Sequence, residues 1–292
     1  MSDLLTSEPE AAPPSPAIRR AKRRLPLLGR VGAVIVAFWL LMAVFGQAVA
    51  PYEVGKVVDM DVFTPITAAF PLGTDYLGRD MLSRILVGTR YTVGVALLAT
   101  LLASGGGLLL GTCAAVWGGW IDAVISRLLD TLVSIPSKMF ALVIVAAFGS
   151  AVPVLVAMAA FIYLPGAYRI ARVLAVDLNA MDFVLVARAR GEKTRYIVRE
   201  ELLPNMTGPV LADFGLRFVF IVLLLSGLSF LGFGIQPPQA DWGSLVRENI
   251  GGLPEGAPAV LMPALAIATL TIGVNLLIDN LGGLRRRTGR TE

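Results

Sequence analysis

Apolar residues in this chain come in long, nearly uncharged blocks, not in the alternation of a half-buried strand or the one-sided stripe of a surface helix. The clearest block is 31–50, VGAVIVAFWLLMAVFGQAVA, twenty residues without a charge. At about 1.5 Å per residue it covers the roughly 30 Å hydrocarbon core of a bilayer, so it predicts a spanning helix. Five more blocks follow: Thr92 to Trp117, Ala123 to Gly149, Val152 to Tyr168, Val210 to Ile235 and Ala259 to Leu281. The pattern predicts an all-α integral membrane protein with six transmembrane helices. It divides the chain into a basic, disordered tail (1–30), a first transmembrane helix (31–50), an extracytoplasmic segment (51–90), a five-helix core (91–283) with a long connection at 169–209, and a basic tail (284–292).

Composition agrees with the blocks. Hydrophobic residues make up 56% and charged residues only 16% of 292 positions, with a mean hydropathy of +0.74. That is more apolar surface than one packed core can hide. The single cysteine, Cys113, forbids an internal disulfide, and the absence of histidine removes serine-histidine, cysteine-histidine and zinc-hydrolase chemistry. The N-terminal block, ending in Ala48-Val49-Ala50, imitates a secretory signal, but it is longer than the usual apolar region of about 7–15 residues and its lead is long.

The basic residues set the expected orientation. With the N-terminus inside, eighteen Lys and Arg fall in cytoplasmic segments and five, Lys56, Arg79, Arg84, Arg90 and Arg247, in outer ones. Both termini are then expected in the cytoplasm, and topology accounts for the net charge of +4 without nucleic acid. Two pairs within the blocks, Arg127 with Asp130 and Asp213 with Arg217, have spacings that let them meet on one helix face. With Asp279, these carboxylates fall near the predicted cytoplasmic ends, where a structural role at the inner pore mouth is expected.

The 169–209 connection predicts a helix, a hinge at Gly191 and a second helix stopped before Pro204. Tyr196, Ile197, Glu200 and Leu203 recur at helical spacing while Lys193, Arg195, Arg199 and Glu201 stay polar, an amphipathic element able to dock on a partner or lie on the membrane interface. The run Gly105, Gly106, Gly107 and Gly111 lies inside the second span with no following lysine, so a close helix-packing face is expected there, not a phosphate cradle. No G-x-x-x-x-G-K-[ST] loop is present, and energy from ATP would have to enter through a partner.

VARARGEKTRYIVREELLPN resembles the cytoplasmic coupling motif of ATP-binding-cassette importer permeases, in which Glu-Ala-Ala is followed after three residues by Gly and later by Leu-Pro. Ala187, Gly191, Leu203 and Pro204 match, while Leu185 stands where the motif has Glu, Val186 stands for its first Ala, and Arg190 replaces an apolar residue. PLGTDYLGRDMLSRILVGTRYTVGVAL, DTLVSIPS and LSFLGFGIQPPQADWGSL are similar, in order, to segments of the dipeptide, oligopeptide and nickel branch. The extra N-terminal span and outer loop suit the subunit that is usually the second of the permease pair.

The resemblance implies a subunit that forms half of a translocation pathway for dipeptides or short oligopeptides, with nickel chelates, glutathione-like peptides or haem as alternative cargo. It implies no catalytic residue, metal or cofactor in this chain, ATP and Mg being held by two partner ATPase subunits. A homologous second permease, an extracytoplasmic substrate-binding protein and membrane lipid are the other implied partners. A coupling helix between the fourth and fifth spans is implied, with Ala187, Arg188, Ala189, Gly191, Glu192, Lys193, Arg195, Arg199, Leu203 and Pro204 as the ATPase-coupling residues. The rival class, an ion-coupled secondary transporter, calls for midplane ionisable groups and inverted repeats, neither of which is evident.

Overall fold

The computed structural model describes residues 26–286, with side chains as far as residue 280. Nine helices order the described chain: α1 (Leu27–Val49), α2 (Met81–Trp117), α3 (Gly119–Val133), α4 (Ser137–Phe148), α5 (Val152–Asn179), α6 (Asp182–Ala189), α7 (Thr194–Phe230), α8 (Trp242–Asn249) and α9 (Pro258–Arg286). Five of them, α1, α2, α5, α7 and α9, are long and apolar enough to cross a membrane. The pair α3 and α4, bent by 84°, makes a sixth if it is counted as one span. The expected tail 1–30 lies outside the described residues up to residue 25, as does the end of the 284–292 tail.

The helices differ from the apolar blocks where local chemistry overrides hydropathy. Asp80 caps α2 by accepting from the Ser83 backbone N–H at 2.8 Å, so this helix begins at Met81, inside the segment expected to be a loop. Its 37 residues reach about 55 Å, well beyond the hydrocarbon thickness, which leaves room for Arg84 and Arg90 in a helical extension. The block Ala123 to Gly149 is two helices because Pro136 has no N–H to continue the ladder and disfavours helical geometry at Ile135.

Pro204 does not stop a helix, contrary to the expectation from sequence. Residues Ile197–Leu202 form a π-helical turn, in which the Leu203 N–H reaches Val198 O five residues back. The widened turn changes the hydrogen-bond register where the proline lacks a donor, and α7 continues through it.

The α2 and α5 helices run parallel in backbone contact. A β-carbon placed on Gly111 would lie 2.7 Å from Tyr168 O and 2.8 Å from Arg172 N, and one on Gly107 would lie 2.7 Å from Tyr168 N. The expected packing role of the glycine run therefore belongs to Gly107 and Gly111. Gly106 meets only the Leu164 side chain, and Gly105 faces open space. Because α2 and α5 are parallel, the chain must return between them, and α3 with α4 is that return. Around the seam, Val93, Ala96 and Ala99 of α2, Leu155 and Met158 of α5, Ile221 and Val222 of α7 and Leu270 of α9 form the main core. A second close approach, Gly32 against the Gly273 carbonyl at 2.7 Å from the β-carbon position, seats α1 on α9.

Gly111→Ala is expected to destabilise the protein by about 1–3 kcal/mol, because the new methyl meets backbone atoms that cannot rotate away. Gly105→Ala should be neutral or slightly stabilising through helix propensity. Thermal unfolding of the two variants in detergent measures the difference, and equal melting temperatures would rule out the backbone seam.

Candidate functional site

Functional chemistry concentrates at the two ends of the bundle and in the ion pairs between them. At one end, α6 stops in a Schellman motif: the Gly191 N–H reaches Arg188 O at 2.9 Å and the Glu192 N–H reaches Ala187 O at 3.2 Å. Gly191 takes φ +80°, which costs a residue with a β-carbon about 1–2 kcal/mol. The reversal sends the chain into α7 after only Glu192 and Lys193. Val184 and Ala187 of α6 and Ile197, Leu202 and Met206 of α7 are buried against Ala171 and Ala175 of α5. Leu108, Ala115 and Val116 of α2 border this second core, and α6 is seated on two of the long helices, α5 and α7.

The structure divides the sequence-predicted residues into anchors and surface. Ala187 is an anchor, fully buried, and Leu203 and Glu192 are half-buried. Arg188, Ala189, Gly191, Lys193, Arg195, Arg199 and Pro204 are exposed. Arg188 donates to Asn179 Oδ1 at 2.8 Å, and Arg199 makes only an exposed 3.5 Å contact with Glu200. The apolar face open to a partner lies upstream of the expected amphipathic stretch, on Phe183, Leu185 and Val186, the last two 52% and 56% exposed. Their apolar character is evident in the sequence but their exposure is not, and the amphipathic pattern lies on the segment after Gly191. In that segment Ile197 is buried and Tyr196 is exposed.

Between the ends, carboxylates are matched by arginines across helices. The Arg217 guanidinium donates to Asp213 at 2.6 and 2.9 Å, as the spacing predicted, and also to the Tyr163 carbonyl of α5 at 2.9 Å. Gly166 makes the room, since a β-carbon there would lie 2.7 Å from Arg217 Nη1. Asp130 does not pair with Arg127. It accepts instead from Arg169 of α5, whose Nη2 lies at 2.5 Å, because α5 packs beside α3. Arg172 holds Asp122 in the same way, with Tyr168 and Ser126 alongside.

At the opposite end, segment 51–80 folds back onto α8. Asp75, fully buried, accepts from Arg79 Nε at 2.6 Å and Arg84 Nη1 at 2.7 Å, while Glu248 of α8 accepts from Arg84 Nη2 at 2.8 Å. The Tyr76 N–H donates to the side chain of buried Asn249 at 3.0 Å. Trp242 is fully buried: its indole donates to Ile85 O at 3.1 Å and stacks edgewise on Trp39 at 4.6 Å. Asp241 caps α8 through Ser244 and accepts from Ser229, and burial pushes its carboxyl above the ordinary value. The half-buried Asp59 carboxyl is held below that value by the Thr64 hydroxyl and the Asp61 N–H.

These features coincide with a recognisable family. Residues 107–287 match the family described as the binding-protein-dependent transport system inner membrane component, well over half of the chain. A dipeptide transport system permease protein of Alkalihalophilus pseudofirmus is 30% identical over 288 residues, covering 95% of this chain and 94% of its own. A glutathione transport system permease protein of Pectobacterium atrosepticum is 30% identical over 249 residues, covering 85% and 81%. A probable D,D-dipeptide transport system permease protein of Escherichia coli is 30% identical over 252 residues, covering 86% and 85%. In such systems ATP is bound and hydrolysed on partner subunits, and a binding protein delivers the solute. The bundle of long apolar helices, its α6 turn and its folded 51–80 segment thus belong to an inner-membrane permease component of a binding-protein-dependent ABC importer, a multi-pass chain that is not itself an ATPase.

Proposed function

We propose that this chain forms half of the translocation pathway of a peptide importer, paired with a homologous second permease and driven by two ATPase subunits that dock on α6. The cargo class rests on the relatives named above, whose printed substrates are a dipeptide, a D,D-dipeptide and glutathione. All are short peptides. The coupling role rests on one observation: α6 exposes Phe183, Leu185 and Val186 outward while Val184 and Ala187 lock its other side into α5 and α7. A push on that short helix moves the α5 and α7 spans as a body, which is how ATPase closure would switch the pathway between inward-open and outward-open states. Lys193, Arg195 and Arg199 flank the docking face with positive charge. The α6 end is cytoplasmic in this reading, as are both termini, and segment 51–80 with α8 faces the delivering protein.

Cells lacking this chain alone are expected to lose uptake of labelled di- and tripeptides, with vanadate but not a protonophore abolishing uptake in the parent. Retained peptide uptake would remove peptides as the cargo.

Gly191→Pro is expected to abolish transport while the protein still inserts, because proline cannot take φ +80° and removes the N–H bonded to Arg188 O. Gly191→Ala, which meets no neighbour, should lose only the backbone preference of about 1–2 kcal/mol. Phe183→Asp, and charge reversal at Lys193, Arg195 and Arg199, should release the ATPase subunits in pull-downs. Undiminished recovery would show that α6 rests on lipid headgroups instead.

After replacement of Cys113, a cysteine at Met60, 95% exposed, should react with an impermeant thiol reagent from outside intact cells. One at Thr194 should react only after the membrane is opened. The reverse pattern would invert the orientation and place α6 outside.

A further inference from the structure

A cleft of about 510 Å³ opens at the break between α3 and α4, with Ser137 and Lys138 on one wall and Tyr163 of α5 with Phe220 and Leu223 of α7 on the other. The volume falls within the range of small-ligand sites. Its depth is in the middle of the bundle: Tyr163 lies about 16 Å along α5 from Val152. Besides the Ser137 hydroxyl, three polar groups line a wall that is otherwise apolar. The first is the Lys138 ammonium, an exposed cation in a membrane-spanning segment. Asp122, Asp130 and Asp213 are each held by an arginine, and no carboxylate among the described residues pairs with Lys138. An ionisable side chain left without a partner at this depth marks a solute path. The second is the Tyr163 hydroxyl, which donates to Phe220 O at 3.2 Å and so keeps its oxygen free to accept. The third is the start of α4, where the Phe140 N–H is the first bonded within the helix, to Pro136 O at 3.0 Å, and no side chain caps the N–H groups before it.

The geometry points to a carboxylate subsite of the translocation pathway, in which Lys138 holds the C-terminal carboxylate of a peptide in transit and the Tyr163 oxygen accepts from its backbone N–H. This rests on the peptide reading of the cargo but assigns a step that the reading leaves open. One charged contact with apolar walls and an open side gives attraction strong enough to draw the anion in and weak enough to release it. Phe220 and Leu223 on the opposite wall contact side chains without selecting among them.

The test uses the complete importer with its binding protein and ATPases in proteoliposomes, comparing uptake of alanylalanine with that of its C-terminal amide. Lys138→Met is expected to lower the ratio of free-acid to amide uptake about tenfold relative to the unmodified importer, the scale of about 1.4 kcal/mol for one charged contact. Lys138→Arg should retain the ratio. An unchanged ratio in Lys138→Met overturns the subsite. A second measurement needs no variant: labelling of Lys138 in the complex by an amine-reactive reagent, read by mass spectrometry, should be slowed by alanylalanine or acetate and not by the amide. Equal labelling with all three overturns the subsite. If the unmodified importer takes up neither compound, the peptide reading fails, and protection of Lys138 by acetate still decides whether the anion site exists.

Discussion

The parallel seam between α2 and α5 is the constraint on which the other helices depend. Gly107 and Gly111 let the two backbones meet, and that contact fixes both their spacing and their direction. In a bilayer, helices gain little by hiding apolar surface from one another, since lipid is equally apolar, so close van der Waals contact has to supply the attraction. Each glycine costs about 1 kcal/mol of helix propensity relative to alanine, a cost offset only where a neighbouring backbone occupies the vacated space. Parallel alignment then obliges the chain to recross between the two helices. The bent α3 and α4 pair does so and leaves a cleft at its break.

Buried charge is arranged at fixed depths along this frame. At the α8 end, Asp75, Arg79, Arg84 and Glu248 pair with one another where segment 51–80 meets α8. Such a network adds little net stability, because desolvation opposes the Coulomb gain, but loss of one member strands its partner at a cost of about 3–5 kcal/mol. It therefore specifies one way of seating the loop on α8. The Trp39 and Trp242 pair holds the same α8 against α1, with the Trp39 indole donating to Thr269 of α9 at 3.2 Å. Farther along, Arg217 ties α7 to α5 through the Tyr163 carbonyl. A rigid platform at the α8 end and a cross-braced core are what a permease needs if force applied at one end is to be felt at the other.

The α6 turn shows how sequence and structure divide the explanation of the proposed coupling surface. Gly191 was legible because a hinge between two helical patterns favours a residue that tolerates positive φ. The burial of Ala187 and the exposure of Leu185 and Val186 were not legible, because an eight-residue helix with apolar residues on several sides has no unique inward face until its neighbours are in place. Pro204 was misleading for a related reason. A proline ends a regular α-helix, yet here a π-helical turn shifts the hydrogen-bond register in the same place.

Local composition was enough to determine the membrane solvent, the existence of the long apolar helices, a close-packing role within the glycine run and the pairing of Asp213 with Arg217, since each depends on residues a few positions apart. Tertiary structure decided that Asp130 takes Arg169 instead of Arg127 and that Trp242 is buried. It also decided that no carboxylate among the described residues pairs with Lys138 in the cleft beside Tyr163. Those outcomes depend on groups far apart in the chain, and hydropathy and spacing carry no information about which helix will stand opposite until the seam between α2 and α5 has placed them all.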